Sequence, residues 1–201
     1  MGDRRYLQLS FYILRGRCRI RISFYFFALL CVLSLFDRRG VLLPGLVAAL
    51  LHECGHLALM LLIPGHSPRE IDVTPFGLRI GNSPLAEFAG GNGKILAAGC
   101  GVNFICAAAT FGFLPDFAAV SFLMGVFNLL PVKGMDGGGI LYLLLCRFLD
   151  ESRARRAATA VSRLTLCAMA VGGVYVLAVT GYNFTLLGAA AALAAAGRGS
   201  D

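Results

Sequence analysis

The chain has 201 residues, of which 58% are apolar and 14% charged. Soluble domains carry about a quarter charged residues, so the composition excludes an ordinary water-soluble globule. It predicts an all-α polytopic membrane protein of about six transmembrane helices, with residues 1–201 forming a single membrane domain. The net charge of +7 does not point to nucleic acid, because the basic residues flank apolar runs instead of gathering in one patch. No secretory signal peptide is expected, since residues 1–20 are Arg-rich and lack a long apolar core. The seven cysteines (Cys18, Cys31, Cys54, Cys100, Cys106, Cys146 and Cys167) include no CxxC pair. Nearly all lie in apolar runs and read as small packing residues.

Taken in chain order, the first span is expected at roughly Ile20–Phe36, with Arg21 at its edge and free to snorkel. The second is Val41–Ile63. The stretch 64–93 that follows is the long polar loop of the chain. Within it, Glu70–Gly81 alternates apolar residues (Ile71, Val73, Leu78, Ile80) around Pro75-Phe76-Gly77, which predicts a small β-hairpin. The third span is about Ile95–Leu114. Phe117–Leu149 is too long for one simple helix and is interrupted by Pro131 and Gly137–Gly139. The fifth span is about Val161–Thr180, and the sixth, Tyr182–Gly197, is short and Ala-rich. If six spans alternate, the arginines before Ile20, the basic residues of 64–94 and the cluster Arg147–Arg163 all fall on one side. Only Arg38 and Arg39 face the other. The positive-inside rule then predicts a cell-membrane protein with both termini in the cytosol.

An ionisable residue at the centre of a bilayer costs about 2.5–3.5 kcal/mol on insertion scales, so each one needs a reason. The second span holds three, in His52-Glu53-Cys54-Gly55-His56. Helix positions i and i+4 share a face, so His52 and His56 can aim two imidazoles at one metal ion. Glu53 lies about 100° round the helix from His52, beside the metal and not on it, where a carboxylate can take a proton from water. The alternative is a histidine pair hydrogen-bonded to neighbouring helices. A catalytic zinc site needs a third protein ligand. His66, the remaining histidine, reads as a solvated loop residue in a Pro/Gly-rich turn. The other acid in a span is Asp136, within Asn128-Leu-Leu-Pro131-Val-Lys133-Gly-Met-Asp136-Gly137-Gly138. Pro131 and the glycines break the helix, which lets the carboxylate turn toward a site. A pairing with Lys133 is the competing use of that charge.

With these two motifs in view, the chain resembles the site-2 protease family of intramembrane zinc metalloproteases. Its size and layout are most similar to the stage IV sporulation protein FB branch. The family pattern, HExxH in one span and Asn-x-x-Pro-x-x-x-x-Asp-Gly in a later one, is matched by His52–His56 and Asn128–Gly137. The resemblance covers 41–149, which it makes the catalytic core. It implies one zinc per chain, held by His52, His56 and Asp136, with Glu53 as general acid/base and Asn128 on the substrate backbone or the developing oxyanion. The family's Gly-Pro-x-x-Asn reads here as Gly99-Cys100-Gly101-Val102-Asn103, with Cys100 in place of Pro. Asn103 is then a candidate substrate-side polar residue or an interhelical hydrogen-bonding one. Met135 stands where Leu is usual. No CBS or PDZ module is expected within the chain.

The resemblance implies hydrolysis of a peptide bond in or near a membrane segment of a protein substrate, such as a precursor sigma factor or an anti-sigma factor. The substrate helix must unwind first, because its carbonyls are already hydrogen-bonded, and the 70–81 hairpin can receive the unwound strand by β-addition. The alternative from another class is a zinc transporter or metal sensor built on the same ligands. A third is an inactive adaptor for membrane partners, against which the intact Glu53 argues.

Overall fold

A computed structural model describes residues 8–13, 18–63, 70–74, 77–81 and 93–198. His66 and the 75–76 turn lie outside the described residues, as do most of the N-terminal arginines. The chain forms two compact units that divide between Gly125 and Val126.

The first unit opens with strands β1 (Gln8–Ile13) and β2 (Cys18–Ser23). Helices α1 (Phe24–Phe36) and α2 (Leu42–Leu62) follow, and then strands β3 (Glu70–Thr74) and β4 (Gly77–Gly81). Helix α3 (Gly93–Thr110) completes the inner part of the unit, and α4 (Pro115–Asn128) crosses the unit boundary. The expected hairpin is present: β3 and β4 are antiparallel, with Glu70 opposite Gly81 and Val73 opposite Leu78. It is half of a larger sheet in the order β1-β2-β3-β4, in which β2 runs parallel to β3. The N-terminal strands were not anticipated. Arg21 is accordingly not a snorkelling residue at a span edge. It lies opposite Asp72 in the β2–β3 register. Its guanidinium donates to both Asp72 oxygens at 2.7 and 3.1 Å and reaches Glu70 Oε2 at 2.9 Å. The hydrogen bond to Asp72 holds the guanidinium pKa above its usual range.

Helix α2 starts where Asp37 accepts hydrogen bonds from the Val41 and Leu42 amides, both at 2.9 Å. These are two of the donors that a helix start leaves unpaired. Its buried residues are Ala48, His52, Gly55 and His56, whereas Leu43, Leu50 and Leu62 are exposed. Small and polar residues inside with large apolar ones outside is the pattern that a hydrocarbon solvent imposes. α2 meets α3 closely: a Cβ on Gly55 would come within 2.9 Å of the Ala98 carbonyl oxygen.

In the second unit the expected break is real. α4 ends at Asn128, and the chain turns through 129–135, with Gly134 at φ 92°. It then enters α5 (Asp136–Leu145). The turn is held by the Val132 amide on the Leu130 carbonyl, the Met135 amide on the Val132 carbonyl and the Lys133 amide on Ser162 Oγ. α6 (Glu151–Thr180) begins well before the expected Val161. Asp150 caps its start by accepting from the Arg153 amide. Its carboxylate also accepts from the Ser152 hydroxyl, the main cause that keeps the carboxyl pKa below its usual range. Gly181, at φ 76°, ends it, and α7 (Thr185–Arg198) follows. Among the described residues, α2, α3 and α6 are long and apolar enough to cross a membrane by length and composition. Shorter apolar helices occupy Phe24–Phe36, Asp136–Leu145 and Thr185–Ala195. The described part is thus mostly helical, with a four-stranded sheet in place of an isolated hairpin.

The turn before α5 leaves no room at Gly137, where a Cβ would run into the Leu129 carbonyl and lie 2.7 Å from the Leu130 carbonyl oxygen. Gly137→Ala is therefore expected to lower stability by about 1–3 kcal/mol. Gly172→Ala, whose Cβ would make an ordinary 3.6 Å contact with Leu186, should be near neutral. Thermal unfolding of the two variants in detergent micelles checks the contrast.

Candidate metal centre

The centre of the first unit is the crossing of α2 and α3. His52 and His56, one helical turn apart on α2, are 5% and 7% exposed. Their Nε2 atoms face each other at 3.1 Å. His56 Nδ1 lies 2.7 Å from the Ile95 carbonyl oxygen. A carbonyl only accepts, so this nitrogen carries the proton and His56 presents a lone pair at Nε2. On the other ring, Asn103 Nδ2 sits 3.4 Å from His52 Nδ1. Asn103 is wholly buried, and its Oδ1 has no hydrogen-bond partner. The residue therefore stands on the outer side of a histidine, as an interhelical contact. Glu53 is half-buried on the next position of α2.

These side chains fit a zinc ion. Two imidazole nitrogens at a tetrahedral centre with Zn–N bonds of about 2.0–2.1 Å are separated by about 3.3 Å, close to the 3.1 Å found. A hydrogen-bonded partner on the far ring nitrogen is the usual companion of such ligands. His52 and His56 thus form a donor pair that could hold a metal. Cys100 adds to it: its Sγ and a ring nitrogen of His52 lie within 4.8 Å of each other, and the residue is 2% exposed. Cys100 was expected only to pack. It is the buried member of the six described cysteines, none of which is in a disulfide, while Cys31, Cys54, Cys146 and Cys167 are exposed.

Ile95, Gly99 and Asn103 recur every four residues along α3, and this stripe faces the histidines. Gly99 was singled out only as part of a motif, yet it is where the rings need space. A Cβ there would run into His56 Nε2 and lie 2.8 Å from His52 Cε1. The i, i+4, i+8 spacing of Ile95, Gly99 and Asn103 was the available signal for this face. In the second unit, Asn128 is the last residue of α4 and Asp136 the first of α5, so the two bracket the broken segment. Both are half-buried. At that helix start the Asp136 carboxylate is favoured by the helix dipole.

Gly99→Ala should weaken zinc binding at least about tenfold, the effect expected when ligand orientation is disturbed. Gly101→Ala, which meets nothing within 4 Å, should leave it unchanged. Chelator competition on the purified proteins reads both.

No protein-family model matches the chain, and no curated protein matches it. Among solved structures, the site-2 protease from Methanocaldococcus jannaschii superposes with a TM-score of 0.64 at 19% sequence identity. The match spans 92% of this chain and 91% of that one. Such identity speaks for architecture alone. The chain has the fold of a site-2 protease.

Proposed function

We propose that this chain is an intramembrane zinc metalloprotease of the site-2 class, hydrolysing a peptide bond in or near a membrane segment of a protein substrate. The observation that carries the reading is the buried His52 and His56 pair, with Nε2 atoms 3.1 Å apart, inside an apolar helix that also bears Glu53. Placing three such ionisable residues in an apolar helix is costly and is explained by chemistry done there. The sequence pattern around Asn128 and Asp136, and the fold shared with a site-2 protease, support the same reading.

In this proposal His52, His56 and Asp136 hold the ion. When bound, zinc would supply Lewis acidity toward the scissile carbonyl and toward a water. Glu53 takes a proton from the attacking water and delivers it to the departing amine. Asn128, the last residue of α4, hydrogen-bonds the substrate backbone. Among the described residues β4 is an edge strand of the sheet, and the unwound substrate adds to it as a further strand. A precursor sigma factor or an anti-sigma factor is a suitable substrate class. The charge distribution supports a reading with both termini in the cytosol.

Glu53→Gln should retain zinc and lose cleavage of a single-span test substrate by at least about 100-fold, the lower range for general acid–base catalysis. Loss of zinc by that variant would count against the assignment. The third ligand is tested by metal content. Asp136→Ala is expected to lose zinc and Cys100→Ala to keep it, whereas the opposite result would make the thiolate the third donor. For β-addition, breaking the alternation at Ile71, Val73, Leu78 and Ile80 should slow cleavage without changing zinc content. Unchanged cleavage would remove the sheet from the mechanism.

A further inference from the structure

We infer that Asn103 is a positioning residue for the metal site, setting the tautomer of His52, and that its carboxamide turns over when metal is loaded. The inference rests on the metal reading above and assigns Asn103 to the ligand in place of the substrate.

The proton positions follow one after another. The Ile95 carbonyl, 2.7 Å away, fixes the His56 proton on Nδ1 and leaves a lone pair on Nε2. For the 3.1 Å contact between the two Nε2 atoms to be a hydrogen bond between neutral rings, His52 must carry its proton on Nε2. His52 Nδ1 is then an acceptor, and the Asn103 amide nitrogen 3.4 Å away donates to it. This set is consistent, but it leaves the wholly buried Asn103 Oδ1 with nothing to accept.

A metal requires a different set. Both rings must present Nε2 lone pairs, so the His52 proton must sit on Nδ1. That Nδ1–H would point at the Asn103 amide donor. A half-turn of the carboxamide brings Oδ1 to the ring and replaces a donor–donor clash with a hydrogen bond. The acceptor that has no partner and the ring that must become a donor are therefore one bond rotation apart. A hydrogen bond from Nδ1–H to a side-chain or backbone oxygen is how ligating histidines are commonly oriented.

The test uses the full chain, purified in detergent and labelled with 15N-histidine. In the metal-free protein, NMR should find His52 protonated at Nε2. With one equivalent of zinc it should find Nδ1 protonated and Nε2 on the metal. Chelator competition should show zinc affinity down about 10–100-fold in Asn103→Ala and restored to within a few-fold in Asn103→Asp, whose carboxylate accepts the same proton. Wild-type zinc affinity in Asn103→Ala, with a raised KM instead, overturns the inference in favour of a substrate contact and leaves the metal reading standing. A wild-type chain that binds no zinc sinks both. If Asn103→Ala does not fold, two results still decide. Ligation of zinc-loaded wild-type His52 through Nδ1, or a loss of affinity in Asn103→Asp, rejects the inference.

Discussion

Everything at the centre of this protein depends on bringing two imidazoles within bonding distance of one point while the helix that carries them is surrounded by apolar residues. Unpaired polar groups are not tolerated in hydrocarbon, so the rings must face another helix, and that helix must come close. The close approach is made by glycine. Gly55 on α2 lets the Ala98 carbonyl in, and Gly99 on α3 leaves the space that the two rings fill. Once the backbones are that near, the Ile95 carbonyl and Asn103 are within reach of the outer ring nitrogens. Ring orientation is then a result of helix packing and does not need separate loops.

The second unit meets a related demand differently. A carboxylate in the interior of a helix would point wherever the helical screw places it. Here the helix is interrupted by Pro131, turned at Gly134 and restarted at Asp136. The acid becomes a first-turn residue, where the helix dipole favours its charge. Gly137 and Gly138 lie directly under the Leu129 and Val132 carbonyls, so the turn and the restart are packed against each other. The Asp-Gly-Gly sequence reads as one device for stopping and restarting a helix in very little space.

Much of this was legible from the residues. The four-residue spacing of His52 and His56 showed a shared face, Pro131 showed the break, and the alternation of Ile71, Val73, Leu78 and Ile80 showed the hairpin. What was missed had competing explanations. Arg19-Ile20-Arg21-Ile22 alternates as a strand should, but arginines beside an apolar run read equally well as orientation signals. Only the partner carboxylates of β3, about fifty residues on in the chain, separate the two. The start of α6 was placed too late because hydropathy sees only its apolar part, while its first turns are held by the Asp150 cap. Cys100 could not be told from a packing residue, since its nearness to His52 exists only once α2 and α3 have crossed. The place of Asn103 beside a ring nitrogen is likewise a product of that crossing.

The parallel pairing of β2 with β3 has a consequence for how the chain is built. Parallel neighbours require a long crossover, and here the crossover contains the whole of α1 and α2. The polypeptide leaves β2 at one end of the sheet, passes through two apolar helices, and must enter β3 at the opposite end. During synthesis the first two strands emerge early, but the strand that completes their sheet is made only after the helix bearing His52 and His56. The N-terminal ribbon thus keeps one flank open during synthesis, and its sheet can be completed only after both helices have been made.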